Sequence, residues 1–73
     1  MTHIYRDMRI GLMYVWPVSD DGLVDHAASL RADLVLRSAG LSRDYLFYEN
    51  DLPRAIAVLR LAGFADITVE DRT

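Results

Sequence analysis

Two similar segments, each ending in glycine and a large apolar residue, most strongly constrain the fold of this chain. Residues 35–41 read VLRSAGL and residues 58–64 read VLRLAGF. Glycine followed by an apolar residue is typical of the Schellman helix end, in which the glycine takes a left-handed backbone and the apolar side chain packs back on the last turn. The sequence therefore predicts two helices that end at Gly40 and Gly63.

Strand patterns precede and follow these helices. Residues 4–16 alternate between apolar and other residues, most securely over residues 9–16, and Pro17 lacks the N–H that a continuing strand would need. Shorter strand patterns follow the glycines at residues 44–49 (DYLFYE) and 67–71 (ITVED). An order of strand, helix, strand, helix, strand predicts parallel pairing through right-handed crossovers.

The first helix has a start signal at Ser19-Asp20-Asp21, because a capping side chain and acidic residues favour a helix N-terminus. Apolar residues then recur at helical spacing, which predicts one buried face. The expected core stripe is Leu23, Ala27, Leu30 and Leu34, widened by Val24, Ala28 and Val35.

The second helix is expected to begin at Asn50-Asp51 and to run to Ala62, because Pro53 is tolerated in a first turn. Two further apolar residues, Val58 and Leu61, fall outside its expected core stripe. That stripe consists of Leu52, Ala55, Ile56 and Leu59.

A second interpretation of the middle of the chain stays open. Residues 33–38 (DLVLRS) can be read as a strand and residues 39–43 as a hairpin turn, although the capping pattern and the unbroken stripe favour a helix. The predicted class is a single small α/β (α+β) sandwich over residues 1–73, with a three- to four-stranded sheet and two helices. Its element order is βαβαβ, or βαββαβ as in ferredoxin-like folds.

Composition excludes several classes of function. The chain of 73 residues has no Cys and a formal net charge of -3, and no apolar run is long enough to cross a membrane. Its eight Arg are scattered among eleven acidic residues, which disfavours direct nucleic-acid binding. No export signal is recognisable at the N-terminus, so the cytoplasm is the expected location.

Candidate catalytic and metal-binding groups are few. The densest polar cluster, Asp20, Asp21, Asp25 and His26, is better interpreted as helix-capping and solvated residues than as a metal site. The other histidine is His3, and there is no Gly-x-Ser-x-Gly motif or glycine-rich phosphate loop. The sequence therefore predicts no catalytic residue, no metal and no cofactor, and hence no enzyme.

The apolar residues exceed what two helices can cover. Residues 11–15 and 45–48 are apolar on both faces of their expected strands, so part of the sheet would stay bare. A large bare apolar patch usually marks a contact with another protein. We expect a homodimer or a larger protein partner, contacted through Tyr14, Trp16, Tyr45, Phe47, Tyr48, Val58 and Leu61.

The chain also resembles the ACT domain, a small βαββαβ regulatory module. The resemblance lies in the strand at residues 9–16, in the turn and helix over residues 21–41, and in residues 48–64 leading into residues 67–70. It implies side-by-side pairing and an amino acid or similar small ligand bound at the dimer interface, near the turn after the first strand. The implied ligand-binding residues are Ser19, Asp20, Asp21, Gly22 and Leu23.

Two departures from the ACT pattern are visible. Asp21-Gly22 stands where the family usually has Pro-Gly, and the stretch from Gly22 to Asp51 is short, which predicts that one strand is missing. Residues 48–64 also look like a half-module of glyoxalase-like metal enzymes, but no histidine lies on a predicted strand to match their ligands. The leading hypothesis is a non-enzymatic interaction module that dimerises or caps and inhibits a larger partner. The alternative is an ACT-like ligand-binding regulator.

Overall fold

A four-stranded sheet with two helices on one of its faces makes up the computed structural model, which describes residues 1–72. The predicted class, a small α/β sandwich with a sheet of up to four strands and two helices, is confirmed. The elements in chain order are β1 (Thr2–Asp7), β2 (Leu12–Pro17), α1 (His26–Ser38), β3 (Phe47–Tyr48), a 3-10 turn (Glu49–Asp51), α2 (Leu52–Leu61) and β4 (Ile67–Arg72).

The sheet is mixed, with the strand order β3-β2-β1-β4. β1 pairs antiparallel with β2 and parallel with β4, and β2 pairs antiparallel with the short β3. Ile4 at the centre of β1 lies opposite Val15 of β2 and Val69 of β4. The parallel pairing that the sequence predicted is therefore present between β1 and β4, whereas the N-terminal half is an antiparallel hairpin.

This hairpin corrects the prediction of a single strand over residues 4–16. Asp7 accepts a hydrogen bond from the backbone N–H of Arg9, and Gly11 closes the turn with a φ of 69°. Because the turn holds four residues, Ile4 and Met13 both face the core although one number is even and the other odd. Asp and Gly are both typical turn residues, and the occurrence of Asp7 and Gly11 four positions apart indicates this turn. The apolar alternation of residues 4–16 concealed that signal.

The first helix begins later than predicted. Its N-cap is Asp25, whose side chain accepts a hydrogen bond from the N–H of Ala28 at 3.0 Å. Ser19, Asp20 and Asp21 lie in the preceding turn and cap nothing, so the expected start there was wrong. Residues 33–38 belong to α1, as the helix interpretation predicted.

The buried face of α1 also differs from the predicted stripe. Ala32 and Leu36 are buried, whereas Leu30 and Leu34 are about half exposed. Both sets have helical spacing, so periodicity alone cannot choose between them. The small side chain of Ala32, with no exposed surface, lets the helix pack closely on the core.

Both predicted Schellman motifs are present. Leu41 donates its N–H to the carbonyl of Leu36, and Phe64 donates to that of Leu59, at 2.9 and 3.0 Å. The glycines between them have φ values of 75° at Gly40 and 98° at Gly63. Leu41 and Phe64 are buried in the core, which is how each motif attaches its helix to the following segment.

The second half of the chain follows the prediction more closely. α2 has Pro53 in its first turn and Ala62 as its C-cap. β4 is an edge strand, as its clean alternation indicated. The pattern at residues 44–49 forms only two residues of strand, because Asp44 and Tyr45 make a turn.

A single core lies between the sheet and the helices. Ile4 and Met13 of the sheet have no exposed surface, and neither do Ala55 and Leu59 of α2. Asp33 of α1 is also buried, and it accepts hydrogen bonds from the side chains of Arg37 and Ser42. The bond from Ser42 attaches the loop after α1 to the helix. The buried apolar residues within residues 1–72 all belong to this one cluster: Ile4, Met13, Ala32, Leu36, Leu41, Phe47, Ala55, Leu59 and Phe64.

Replacing the capping glycines tests the Schellman motifs. Gly40→Ala and Gly63→Ala should each lower the free energy of unfolding by about 1 kcal/mol, because alanine is strained at positive φ. An added Cβ meets no atom within 4 Å at either site, so a clash contributes nothing. Urea denaturation measures the loss, and Gly→Asn at the same sites should cost less because Asn tolerates this backbone. Equal stability of the alanine and glycine proteins would contradict this account.

Candidate interaction surface

The helices leave one face of the sheet uncovered. Residues paired across neighbouring strands share a face, and the core residues Ile4, Met13 and Phe47 all lie on the helix side. The alternate residues therefore form the opposite side, which we name the open sheet face. It consists of His3, Tyr5, Asp7, Leu12, Tyr14, Trp16, Tyr48, Thr68, Glu70 and Arg72.

Aromatic rings in contact with one another cross the open sheet face. The ring of Tyr5 lies 5.5 Å from His3 and 5.7 Å from Tyr14, and Tyr14 lies 6.1 Å from Trp16 at nearly a right angle. Trp16 is 37% exposed and Tyr48, at the β3 edge, is 68% exposed. These spacings are typical of favourable aromatic pairs, so the rings hold each other in place at the surface.

Polar groups lie on the β4 side of the open sheet face. The guanidinium of Arg72 lies 5.0 Å from the centre of the Tyr5 ring, and Nδ1 of His3 is 2.9 Å from Oγ1 of Thr68. Hydrogen bonds from the side chain and backbone of Arg9 hold the pKa of the Asp7 carboxyl below its usual value. The charge of Arg72 is opposite to that of Glu70, and Asp7 is paired with Arg9, so this face carries little net charge.

The predicted interface residues do not lie on one surface. Tyr14, Trp16 and Tyr48 lie on the open sheet face, and Tyr45 lies in the turn before β3. Phe47 is a core residue with 2% exposure, so it does not contribute to a surface. The remaining two belong to α2 on the other side of the sheet: Val58 packs against the core, and Leu61 is 90% exposed.

Tyr45 occupies a strained position. Asp44 and Tyr45 have φ values of 51° and 67° in a tight turn, in which Arg43 and Leu46 exchange two backbone hydrogen bonds. Such turns prefer Asn and Gly, and a bulky residue at positive φ is uncommon. In this strained conformation, Tyr45 lies beside the β3 edge with half of its surface exposed.

A pair of variants measures this strain. Tyr45→Gly and Tyr45→Ala both remove the ring, but only glycine also relieves the backbone. We expect the glycine variant to be more stable than the alanine variant by about 1 kcal/mol in urea denaturation. A glycine variant no more stable than the alanine variant would show that the turn is not strained.

The expected ligand turn, residues 19–23, bonds within itself. Ser19 Oγ donates to Asp21 Oδ1, and the N–H of Leu23 donates to the same carboxylate oxygen at 3.1 Å. The backbone N–H of Ser19 bonds to the carbonyl of Leu23, and that of Gly22 to the carbonyl of Ser19. Asp20 and Leu23 are exposed at its surface. These contacts stabilise the turn.

The hydrogen bond from Ser19 lowers the pKa of the Asp21 carboxyl, with a further contribution from the N–H of Leu23. At pH values above the unfolded-state pKa of Asp21, its ionised carboxylate therefore stabilises the folded chain. This stabilisation is lost as the pH falls through the lower pKa of the folded state. Ser19→Ala should raise the pKa of Asp21 toward its ordinary value in a carboxyl NMR titration. Ser29→Ala is the control and should leave it unchanged. An unchanged titration in the Ser19 variant would contradict this assignment.

Residues 1–72 also contain a cleft, but no cluster of metal-binding side chains. An open cleft of about 620 Å³ lies between the loop after α1 and the β3 edge, beside Tyr48, and its lining includes Arg43, Asp44 and Asp51. No group of three His, Asp or Glu side chains in these residues is arranged to hold a metal ion. Neither helix is long and apolar enough to cross a membrane.

Comparisons with known proteins give no family. A scan against models of protein families, a search of curated proteins and a search of solved structures each found no match for this chain. No relative therefore supplies a function for the open sheet face.

Proposed function

We propose that this chain is a non-enzymatic protein–protein interaction module that forms a homodimer through its open sheet face. The observation that carries the proposal is the row of contacting aromatic rings on a sheet face that no helix covers. Tyr and Trp are enriched at the centres of protein interfaces, because they combine a large apolar area with a polar group at one end.

The rigidity of the aromatic row supports an interface role. Tyr14 contacts both Tyr5 and Trp16, so its ring is already held before a partner arrives. An ordered side chain loses less conformational entropy on binding than a mobile one. The aromatic row therefore favours association beyond the effect of its apolar area.

The small net charge of the open sheet face supports a second copy of this chain as its partner. The chain has a net charge of -3, but the open sheet face carries Arg72, Glu70 and an Asp7 that is paired with Arg9. Two such faces in a two-fold arrangement bring few like charges together. The edge strand β4 is less suited to pairing with a second copy, because charged residues such as Glu70 and Asp71 disfavour edge-to-edge contact.

The size of the face sets the expected affinity. Three strands of six residues and the two-residue β3, with strands about 4.8 Å apart and a rise of about 3.3 Å per residue, cover roughly 300 Å² in projection. Upright side chains expose more area than this, but the face stays small beside a standard specific interface, which buries about 800 Å² on each partner. We therefore expect a reversible dimer with a Kd of about 1–100 µM.

Sedimentation equilibrium over a concentration series tests the dimer. The weight-average mass should rise from 8.3 kDa toward twice that value as the concentration passes through the Kd. Tyr14→Ser removes a central ring of the row, and Tyr48→Glu places a charge at the most exposed aromatic residue of the open sheet face. Both variants should stay monomeric in this concentration range, because the first loses apolar contact and the second buries an unpaired charge.

Leu61→Glu is the matched control, since Leu61 is 90% exposed on α2, on the opposite side of the sheet. It should dimerise like the unmodified chain. Circular dichroism and urea denaturation show whether each variant is folded. A monomeric mass at every concentration would overturn the homodimer and leave a different protein as the occupant of the open sheet face. Dimerisation that Leu61→Glu abolishes and Tyr48→Glu spares would place the interface on the helices instead.

A further inference from the structure

A second apolar surface lies on the outside of the helices. Leu30 and Leu34 of α1 are 49% and 51% exposed, and Leu61 of α2 is 90% exposed. Further exposed apolar residues, two alanines and a proline, lie on the same sides of these helices. We name this the outer helix surface; its apolar members are Ala27, Leu30, Leu34, Pro53, Ala57 and Leu61.

These residues are directed away from the core by their position on each helix. Leu34 lies two positions from the buried Ala32 and Leu36, which corresponds to about 200° around a helix. Ala57 has the same relation to the buried Ala55 and Leu59. Each helix is therefore apolar on two opposite sides, and only one of these sides is used by the core.

Positive charge is concentrated on the same two helices. α1 and α2 contain four of the eight arginines but only one of the eleven acidic residues. That acid, Asp33, is buried and bonded to Arg37. Arg31 lies over the ring of Phe64, and within residues 1–72 neither Arg54 nor Arg60 forms an ion pair. The two helices, beyond their N-cap residues Asp25 and Asp51, thus carry net positive charge in a chain whose net charge is negative.

We propose that the outer helix surface binds an acidic amphipathic helix of a partner protein. The apolar face of such a helix would pack on Leu30, Leu34 and Leu61, and its acidic residues would lie near the arginines. Carboxylate–guanidinium contacts at the edge of an apolar patch orient the partner and speed its association. This proposal is independent of dimerisation, because it uses the side of the molecule opposite the open sheet face.

Charge also argues against other occupants. A second copy would bring one cationic helix layer against another, whereas a duplex nucleic acid would cover exposed leucines with phosphate groups. An anionic bilayer remains chemically similar to an acidic helix in charge. It lacks, however, the apolar side chains at fixed helical positions through which an amphipathic helix would contact Leu30, Leu34 and Leu61. These occupants become alternative outcomes of the test.

Selection from a display library of random 16-residue peptides tests the proposal, with the full chain as immobilised target. Enriched peptides should be acidic, with apolar residues at helical spacing of three and four. Fluorescence anisotropy of the most enriched peptide should show affinity that falls with added salt. Arg54→Glu combined with Arg60→Glu should weaken binding at least tenfold, and Leu34→Gln should weaken it at least fivefold.

Tyr48→Glu on the open sheet face is the matched control and should bind the selected peptide like the unmodified chain. This keeps the test separate from the homodimer, since loss of dimerisation leaves peptide binding intact. Enrichment of non-acidic peptides, or no enrichment, would overturn the proposal. So would stronger binding to phosphatidylserine vesicles or to duplex DNA than to the selected peptide, or a peptide affinity that the Arg54/Arg60 and Leu34 variants leave unchanged.

Discussion

The covering of only one face of the sheet is the constraint on which the rest of this structure depends. In the part of the chain that the structure describes, the buried apolar residues form one cluster between the sheet and the helices, with Ile4 and Met13 on one side and Leu36 and Leu59 on the other. The two helices within residues 1–72 supply one such layer. The opposite face is left without a helix layer from residues 1–72, and its aromatic rings contact one another there.

The parts of the fold that the sequence predicts are those set by neighbouring residues. Each Schellman motif depends on six consecutive positions, so Gly40 and Gly63 were sufficient to place both helix ends. The N-terminal hairpin was missed because its turn reverses the parity of the core positions while the apolar alternation continues through it. The helix start was misplaced at Ser19 because the acids of that turn resemble caps only in composition. The residue that caps α1 is Asp25, which directly precedes the helix.

The candidate surface was predictable in kind but not in place. An excess of apolar and aromatic residues indicated an exposed patch, yet Phe47 is buried and Leu61 lies on the opposite side from Trp16. The choice depends on strand register and on which side of α1 meets the core. Two stripes of equal period compete for that side, and close packing through Ala32 decides between them. Contacts between residues distant in sequence determine which side of α1 is buried, so local sequence patterns alone do not predict it.

Average composition also concealed how charge is distributed. A net charge of -3 with scattered arginines disfavours anionic ligands, but the fold gathers four arginines on the two helices and leaves nearly all the acids in the strands and loops. If two copies join through their open sheet faces, both cationic helix layers point outward on opposite sides of the dimer. Such a dimer would offer two equivalent sites, and a partner with two acidic helices at matching separation would bind more tightly than either site alone. The sheet face would then set the oligomeric state, and the helix layer would set which proteins the dimer joins.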